Sequence, residues 1–424
     1  MNDIIVGLDI GTSYIKVVIG ELNLESQVKI IGYAKRPSRG LRKGVIVSIN
    51  DAMDAIKETI DEAEQMAGVE VQTVFTAIGG SQVEGRGSSG NIGVDPSGHN
   101  RALEISETAR LKAIESARAV APPLGQEPIH VIPQEYKVDE NPGFRDPIGI
   151  LGVRLEASVY IVTASKSARA NIENCIHRSG YELGGIMLKT LAAALATLHS
   201  EERELGSIVI DLGSDSTDVI IINKDAPVFI TSIPVGGNFV TNDIAQVKGI
   251  SYADAEIVKQ RYGCCWIEGN EQDEEVIIQH PGGQPPEQTT RYELCEIIQP
   301  RMDEIFSMVK KEVVHHSGLT KLNGNIVLTG GGARMPGVEH LAQSVWRTTA
   351  IRIGEAPNMG NLDGDESELN TYQQADFATA VGLVRHFSEK LGGDVKHHSS
   401  KKSESKGNDG HVMDGVKSFL KKFF

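Results

Sequence analysis

The chain has 424 residues, of which 40% are hydrophobic and 23% are charged, and this length exceeds what one hydrophobic core usually serves, so at least two lobes are expected. Its formal net charge of −15 argues against general nucleic-acid binding. No apolar run reaches the roughly 18 residues of a membrane span, and the strand-like start MNDIIVGLDIGTS lacks the basic region of a signal peptide, so neither is expected.

The first part of the chain, residues 1–83, predicts strands around one helix. IIVGLDIG and YIKVVIGEL form a hairpin-like pair, further strands follow, and NDAMDAIKETIDEAEQMAG repeats apolar residues at helical spacing. Residues 84–157 differ, because Gly and Ser are dense near their start and prolines punctuate the strands near their end. We interpret them as a small α+β module inserted into a first lobe that resumes over 158–202.

The second part of the chain repeats the first pattern. SIVIDLGSDSTDVIIINKD echoes DIIVGLDIGTSYIKVVIGEL, which suggests two related lobes, the second built from residues 203–236 and 318–387. Residues 237–317 are predicted to form a largely helical subdomain of that lobe. After the second lobe we expect a disordered polar linker at 388–410 and a short amphipathic helix at 411–424.

The two related turns have the chemistry of a phosphate site. In each, a strand ends in an aspartate and enters a glycine turn whose backbone N–H groups and hydroxyls can hold an anion. Two facing turns, helped by Lys16, could hold a phosphate chain, with Asp9 and Asp211 near a hydrated Mg²⁺. Either turn alone could instead be an ordinary hairpin turn. The residues assigned here are Asp9, Gly11, Thr12, Ser13, Tyr14 and Lys16 in the first turn, and Asp211, Gly213, Ser214, Asp215, Ser216 and Thr217 in the second.

A third motif, VLTGGGARMPG, places three glycines between a predicted buried strand and a helix. Without Cβ atoms, this loop lets a flat base or ribose lie against the backbone. It is neither GxGxxG nor a Walker A loop, since no Gly-Lys-Ser/Thr follows. The three motifs in this order, widely spaced, indicate a nucleotide site rather than three coincidental turns.

This ordered trio resembles the actin/Hsp70/sugar-kinase superfamily, with phosphate turns at 9–16 and 211–218, an adenosine loop at 329–337, and connecting helices in LKTLAAALATL and ADFATAVGLV. Within it, the chain resembles the FtsA family of actin-like bacterial division proteins. The segments that carry this resemblance are LRKGVIVSI, QEYKVDENPGFRDPIGILGVRLEASVYIVTA, and PVGGNFVTNDIA with DAEIVKQRYG. The resemblance implies an α/β fold of the actin-like (RNase H-like) two-lobed ATPase type, with residues 84–157 inserted in the first lobe.

The resemblance also implies ligands and partners that spacing alone does not give. These are ATP with Mg²⁺, an actin-like filament of the chain itself, the C-terminal peptide of the tubulin-like protein FtsZ bound by residues 237–317, and later division proteins bound by residues 84–157. Glu256 and Lys259 resemble the pair that contacts ribose and adenine, and a surface i,i+3 salt bridge is the alternative. The residues that complete the nucleotide site are Gly236, Gly237, Glu256, Lys259, Gly330, Gly331, Gly332 and Arg334.

The chain departs from the superfamily pattern at two places. Many relatives have Gly-Gly where this chain has Ser214-Asp215, and a carboxylate there repels phosphates unless Mg²⁺ or a neighbour compensates. Lys189 stands where the Hsp70 pattern has a Glu and the actin pattern a Gln that orients the attacking water. A cation cannot accept a proton from that water, so we expect ATP binding with slow hydrolysis and at most a weak ATPase.

The end of the chain separates apolar from basic residues. On a helical wheel an apolar and aromatic arc stands opposite Asp414, Ser418 and the lysines. Such a helix lies in the headgroup region of an anionic membrane, so we expect a peripheral protein on the cytoplasmic side of the plasma membrane and, from the resemblance, at the division site. A helix docked on the protein's own core and a calmodulin-like partner helix are the alternatives. The residues assigned to the membrane are Val412, Met413, Val416, Lys417, Phe419, Leu420, Lys421, Phe423 and Phe424.

The hypothesis preferred from the sequence is an ATP-loaded adaptor that polymerises and tethers FtsZ filaments to the membrane. One alternative is a soluble sugar kinase or polyphosphatase of the same fold, which needs a carboxylate base in the cleft and has no use for a lipid-seeking tail. Another is a PilM-like pilus-assembly platform, which shares the inserted module but lacks the linker and terminal helix. An Hsp70-like chaperone would need a substrate domain after the ATPase, for which too few residues remain.

Overall fold

The computed structural model describes residues 3–23, 27–267, 273–280, 285–316, 324–360, 362 and 370–400. The amphipathic helix expected at 411–424 lies outside these described residues. Within them, no helix combines the length and the apolar character needed to cross a bilayer.

The strands and helices alternate along the chain in two similar series. In chain order they are β1 (Asp3–Ile10), β2 (Tyr14–Leu22), β3 (Val28–Pro37), β4 (Leu41–Arg42), β5 (Val45–Ile46), α1 (Ile49–Ala67), β6 (Thr73–Ile78), β7 (Val83–Gly93), β8 (Leu103–Glu104), α2 (Glu107–Arg118), β9 (Gln126–Val138), β10 (Asn141–Phe144), β11 (Leu151–Gly152), β12 (Arg154–Ser165), α3 (Lys166–Arg178), β13 (Glu182–Leu188), α4 (Lys189–Thr197), α5 (Ser200–Leu205), β14 (Ser207–Leu212), β15 (Thr217–Asn223), β16 (Ala226–Ile233), α6 (Gly237–Lys248), α7 (Tyr252–Tyr262), β17 (Glu275–Ile278), β18 (Glu287–Thr290), α8 (Arg291–His316), β19 (Ile326–Thr329), α9 (Val338–Trp346), β20 (Ile351–Ile353) and α10 (Ala378–Ser400).

The two lobes contain sheets of the same topology. The first has the strand order β3-β2-β1-β6-β13 and the second the order β16-β15-β14-β19-β20. In each, the first strand pairs antiparallel with the hairpin partner and parallel with a later strand. The register places Asp9 opposite Lys16 and Asp211 opposite Asp218. The repeat predicted from the sequence is therefore present in the fold. It places one aspartate near the carboxyl end of the central strand of each sheet.

Two closely packed helices, α4 and α10, join the lobes beneath the strand ends that carry these aspartates. The helix α10 contacts β1, β2 and β6 of the first sheet, whereas α4 contacts β14 and β15 of the second, and the two helices contact each other. They approach so closely that a Cβ at Gly382 would overlap the carbonyl oxygen of Ala192. Nearly all of α4 is buried, consistent with an apolar sequence around the whole helix. The space above these helices is the cleft described below.

The inserted module is a four-stranded antiparallel sheet, β10-β9-β12-β7, covered by α2. Its last strand, β12, pairs with both β7 and β9 as far as Ala164. The predicted boundary between 157 and 158 falls inside this strand, and the division of the chain at that point stays a prediction. The first lobe resumes with α3.

The last described helix is longer than expected. The predicted linker begins at residue 388, whereas α10 continues to Ser400. The helix is anchored by the buried Phe387, and Ser388 donates a hydrogen bond to the Arg385 carbonyl at 2.7 Å. Extending a helix that already exists adds a hydrogen bond per residue without a new nucleation cost, which allows polar residues to follow.

A partly buried ion pair joins α5 to the edge strand of the second sheet. The Arg352 guanidinium donates to both carboxylate oxygens of Glu202, at 2.9 and 2.6 Å, and Asn325 donates a third bond at 2.7 Å. Burial by itself raises the pKa of Glu202, but these donors and the His199 N–H outweigh it and lower the pKa to about 2. The stability that the carboxylate contributes is thus present above its unfolded pKa and is lost as the pH falls toward 2.

Glu202→Gln is expected to lower the free energy of unfolding by about 1–3 kcal/mol near pH 7, because a charge-assisted bidentate pair is replaced by a neutral amide. Thermal unfolding of both proteins between pH 3 and pH 7 is the measurement. The difference in midpoint should be largest above pH 5 and should shrink toward pH 3. The exposed Glu115→Gln on α2 serves as the control. A constant difference across this range would show that the carboxylate charge is not what stabilises the contact.

Candidate functional site

A cleft of about 660 Å³ opens between the two sheets, above α4 and α10. It is lined by both predicted phosphate turns, by the loop of three glycines and by one face of α7. Every residue that the sequence assigns to the nucleotide lines this cleft, although they come from segments far apart in the chain. The assignment of these residues to a bound nucleotide stays a prediction, but their convergence on one cleft is a property of the structure.

The two turns at the centre of the cleft have the same geometry. In the first, Gly11 N–H donates to the Tyr14 carbonyl at 3.1 Å, and in the second Gly213 N–H donates to the Ser216 carbonyl at 3.0 Å. A Cβ on either glycine would lie 2.6 or 2.7 Å from that same carbonyl oxygen. Both glycines are therefore required by the tight turn, in which the chain reverses between the two strands of a hairpin.

The second turn is supported from behind by the start of α6. Gly237 N–H donates to the Gly213 carbonyl at 2.9 Å, and Asn238 N–H donates to the Ser214 carbonyl at 2.7 Å. A Cβ at Gly236 would lie 2.6 Å from the Gly213 carbonyl oxygen, so only glycine permits this approach. The first N–H groups of α6 thus fix the turn and are not directed at a ligand.

The Glu256–Lys259 ion pair is partly buried and hydrogen-bonded to α6, so it is not a surface salt bridge; we call it the Glu256–Lys259 brace. The Lys259 ammonium lies 2.7 Å from a Glu256 carboxylate oxygen and donates to Thr241 Oγ1 at 2.8 Å and to the Gly237 carbonyl at 3.1 Å. Burial raises the pKa of Glu256, but Lys259 and the hydrogen bonds outweigh it, so the carboxyl pKa is lowered overall. The pair therefore ties α7 to the turn-bearing start of α6 at the edge of the cleft.

The hairpin of β4 and β5 covers part of the cleft. Its sequence, LRKGVIVSI, was used above only as a sign of the family resemblance. In the turn between β4 and β5, Lys43 and Gly44 both have positive φ, 51° and 71°. Lys43 N–H donates to Asp215 Oδ2 in the second lobe at 2.8 Å, and Gly44 N–H donates to Thr12 Oγ1 at 3.0 Å. Asn238 donates to the other oxygen of Asp215 at 2.8 Å. The added carboxylate is thus partly compensated by its neighbours.

Asp215→Asn is expected to raise the affinity for ATP about fivefold at low salt, because it removes one negative charge beside the predicted phosphate site and keeps an oxygen that can accept the Lys43 N–H bond. The gain should fall as the salt concentration rises. Isothermal titration at two salt concentrations measures both. Asp225→Asn, an exposed carboxylate outside the cleft lining, is the charge-matched control. An unchanged affinity would mean that Lys43 and Asn238 already compensate the charge in full.

Charged side chains are concentrated at the base of the cleft. The Lys189 ammonium lies 3.0 Å from Asp211 Oδ2, and the Lys16 ammonium lies 3.6 Å from Asp9 Oδ2. Asp218, which the sequence did not single out as a site residue, accepts a bond from Ser232 at 2.5 Å. Burial alone lowers the pKa of Lys189, yet the carboxylates of Asp211, Asp9 and Asp218 outweigh it and raise that pKa. Lys189 is consequently an ammonium ion and cannot act as a general base.

The carboxylates predicted to bind Mg²⁺ are already in contact with other groups. The two oxygens of Asp211 face opposite neighbours, since Oδ2 meets the Lys189 ammonium and Oδ1 lies so close to Gly330 that a Cβ there would overlap it. Asp9 has the Lys16 ammonium beside it. Among the described residues, no group of three or more His, Cys, Asp or Glu side chains is arranged to hold a metal. Each of the two aspartates thus has a lysine ammonium beside it, and their role in holding a hydrated metal ion stays a prediction.

The loop expected to face the adenosine follows β19 and lies against Asp211 and Leu212 at the end of the neighbouring strand β14. Gly330 has φ 83°, and the following residues Gly331–Arg334 form one 3₁₀ turn. A Cβ on Gly331 would meet no atom within 4 Å, so this residue presents open backbone to the cleft. Arg334 is paired with Asp376 at 3.5 Å, and Lys35 is paired with the same carboxylate at 2.7 Å.

Asp376 and Lys35 were not predicted as part of the site, although both line the cleft. Burial raises the pKa of Asp376, but the charges of Lys16, Lys35 and Arg334 outweigh it and lower that pKa. The ammonium of Lys35 also lies 4.5 Å from the centre of the Tyr14 ring. The Asp376 carboxylate thus interacts with three cationic side chains, Lys16 of the first turn, Lys35 of β3 and Arg334 of the glycine loop.

Comparison with known proteins identifies the family. A profile described as "Cell division protein FtsA" matches residues 208–382, and one described as "SHS2 domain inserted in FTSA" matches residues 80–163. The cell division protein FtsA of Borreliella burgdorferi is 39% identical over 406 residues, which cover 96% of this chain and 95% of that protein. The chain belongs to the FtsA family of cell-division proteins. The resemblance inferred from the sequence is confirmed.

Solved structures of more distant proteins share the actin-like fold with this FtsA-family chain. The PilM–PilN type IV pilus biogenesis complex contains a chain that superposes with a TM-score of 0.64 at 19% identity, over 90% of this chain and 98% of that one. MreB5 of Spiroplasma citri bound to ADP superposes with a TM-score of 0.54 at 15% identity, over 93% and 98%. The predicted fold class is confirmed, and the likeness to PilM extends to the fold alone.

Proposed function

We propose that this FtsA-family chain binds ATP between its lobes, polymerises like actin, and tethers FtsZ filaments to the cytoplasmic face of the plasma membrane at the division site. The observation that carries the nucleotide part is the convergence of two equivalent glycine turns, the three-glycine loop and the Glu256–Lys259 brace on one cleft. The solved MreB5 relative holds ADP, which supports an adenine nucleotide in a cleft of this fold.

The cleft is built to bind rather than to hydrolyse. Backbone N–H groups and hydroxyls of the two turns would hold the phosphates, and the open backbone at Gly331 would accept the adenosine. Lys189 stands at the position where the superfamily pattern has a Glu or Gln that orients the attacking water, and its positive charge prevents it from taking up a proton. We therefore assign at most a weak ATPase activity, in which the bound nucleotide controls assembly.

Two exposed apolar surfaces support the proposed protein contacts. On α6 and α7, Val247, Tyr252 and Ile257 expose 64%, 47% and 60% of their surface, in the subdomain assigned to the C-terminal peptide of FtsZ. In the inserted module, Ile148 and Leu151 expose 42% and 68%. We propose the module for contacts with later division proteins and neighbouring subunits. Contiguous exposed apolar patches favour binding surfaces, which is why these two regions are the ones to test.

The membrane contact is assigned to residues 411–424, whose apolar arc and lysines suit an anionic bilayer. One such helix binds reversibly, so stable attachment would require several tails on one polymer. Filament formation and membrane binding should therefore reinforce each other.

The test of this function is reconstitution. Purified FtsZ polymerised with GTP is mixed with anionic liposomes, with and without the full chain and ATP, and the liposomes are floated through a density gradient. We expect FtsZ to float with the liposomes only when the full chain is present, and more strongly with ATP. FtsZ that stays in the soluble fraction although this chain floats would overturn the tethering function.

A further inference from the structure

The position of Lys189 in the fold is unusual for a cation. It is the first residue of α4, where the helix dipole favours negative charge and disfavours positive charge. Its Cβ lies where a side chain on Gly79 would be only 2.9 Å away, so that glycine makes room for it. About a quarter of the side chain is exposed, and it lines the cleft. A residue placed against the dipole needs a compensating contact, which here is the ion pair with Asp211.

Lys189 is surrounded by carboxylates, as a bound metal ion usually is. Three buried aspartates, Asp9, Asp211 and Asp218, lie at the ends of the paired strands that flank the phosphate turns, and the charges of all three act on Lys189. A triphosphate placed beside them would face like charge, and proteins of this kind relieve it with a divalent cation. In this chain the ammonium of Lys189, 3.0 Å from Asp211, already supplies positive charge at that point.

We propose that Lys189 acts as a built-in cation of the nucleotide cleft, taking over charge neutralisation beside the phosphates that would otherwise need Mg²⁺. Asp211 then positions the ammonium instead of a hydrated metal, which agrees with the distance of 3.0 Å between the ammonium and Asp211 Oδ2. The consequence is that ATP binds with little dependence on divalent ions. This inference rests on the proposed function, because it assumes that the cleft takes ATP.

The test compares ATP affinity in Mg²⁺ with ATP affinity in excess EDTA, measured by isothermal titration on the full chain. For the wild type, EDTA should lower the affinity less than about threefold, since the ammonium remains. For Lys189→Gln, EDTA should lower it about tenfold or more, and Mg²⁺ should restore most of the loss, because the carboxylate of Asp211 is released to a metal. Lys189→Arg, which keeps the charge, should resemble the wild type.

The control is Lys112→Gln, an exposed lysine on α2, which should leave both affinities unchanged. A wild type that loses as much affinity in EDTA as Lys189→Gln overturns the inference and leaves the proposed function standing. A chain that binds ATP in neither condition overturns both. Thermal unfolding reports whether Lys189→Gln folds, and if it does not, the sensitivity of the wild type to EDTA decides the question by itself.

Discussion

A chain that ends at Gly410 is expected to stay in the supernatant when it is sedimented with anionic liposomes, whereas the full chain is expected to pellet. The missing residues 411–424 contain the whole apolar arc, and each apolar side chain that enters the bilayer contributes about 1.5–3 kcal/mol when it is fully buried. Losing several of them should lower the partition coefficient by about 100-fold or more. Co-sedimentation at fixed lipid concentration measures it.

Substitutions within residues 411–424 test whether membrane binding depends on the apolar face of this segment or only on the presence of the segment. Phe419→Ser with Phe423→Ser should abolish most of the binding, while Ser418→Ala on the opposite side should preserve it. Replacing anionic by zwitterionic lipid should weaken binding of the unaltered chain, because the lysines of the tail lose their attraction. If the truncated chain pellets as strongly as the full chain, the tail is not the membrane contact, and a docked or partner-binding helix becomes the better interpretation.

The nucleotide should act on this binding through the polymer. ATP is expected to strengthen sedimentation of the full chain with liposomes, because a filament presents several weak tails at once. A variant that cannot polymerise should therefore bind liposomes more weakly than the wild type at equal concentration. Equal binding by the two would show that assembly and membrane attachment are independent.

The turns of the cleft could be predicted because their chemistry is local. Gly11 and Gly213 are each fixed by a carbonyl three residues later, so the same short pattern of aspartate, glycine and hydroxyl residues gives the same turn twice. A strand pair with this turn also sets the register that places Asp9 and Asp211 at the sheet edges. For that reason the repeat in the sequence was sufficient to predict two related lobes.

The contacts between distant segments could not be predicted in this way. Asp215 meets Lys43, which is 172 residues away in the chain, and Lys35 meets Asp376 across 341 residues. No local periodicity reports such pairs, because they depend on how the two sheets and the connecting helices are placed. The sequence therefore indicated a repulsive carboxylate at Asp215, and only the fold showed the two donors that compensate it.

Gly330→Ala is expected to destabilise the second lobe by about 2–4 kcal/mol and to abolish most ATP binding. The residue has φ 83°, a conformation that alanine adopts only with strain of about 1–2 kcal/mol. The added methyl group would also overlap Asp211 Oδ1 and lie 2.7 Å from the Leu212 carbonyl oxygen. Since Asp211 holds Lys189, the displaced carboxylate would disturb the base of the cleft as well. Thermal unfolding and titration with ATP measure the two effects.

The adjacent Gly331→Ala is a matched control with a different expected result. Its Cβ would meet no protein atom within 4 Å, and its backbone already lies in a 3₁₀ turn that alanine adopts easily, so the unfolding midpoint should not change. The methyl group would nevertheless project into the cleft where the adenosine is proposed to lie, and ATP affinity should fall about tenfold. Unchanged affinity in Gly331→Ala, with the fold intact, would place the adenosine elsewhere. A loss of affinity without a loss of stability requires a ligand against this backbone, because in the protein alone nothing stands in the way of the added methyl group.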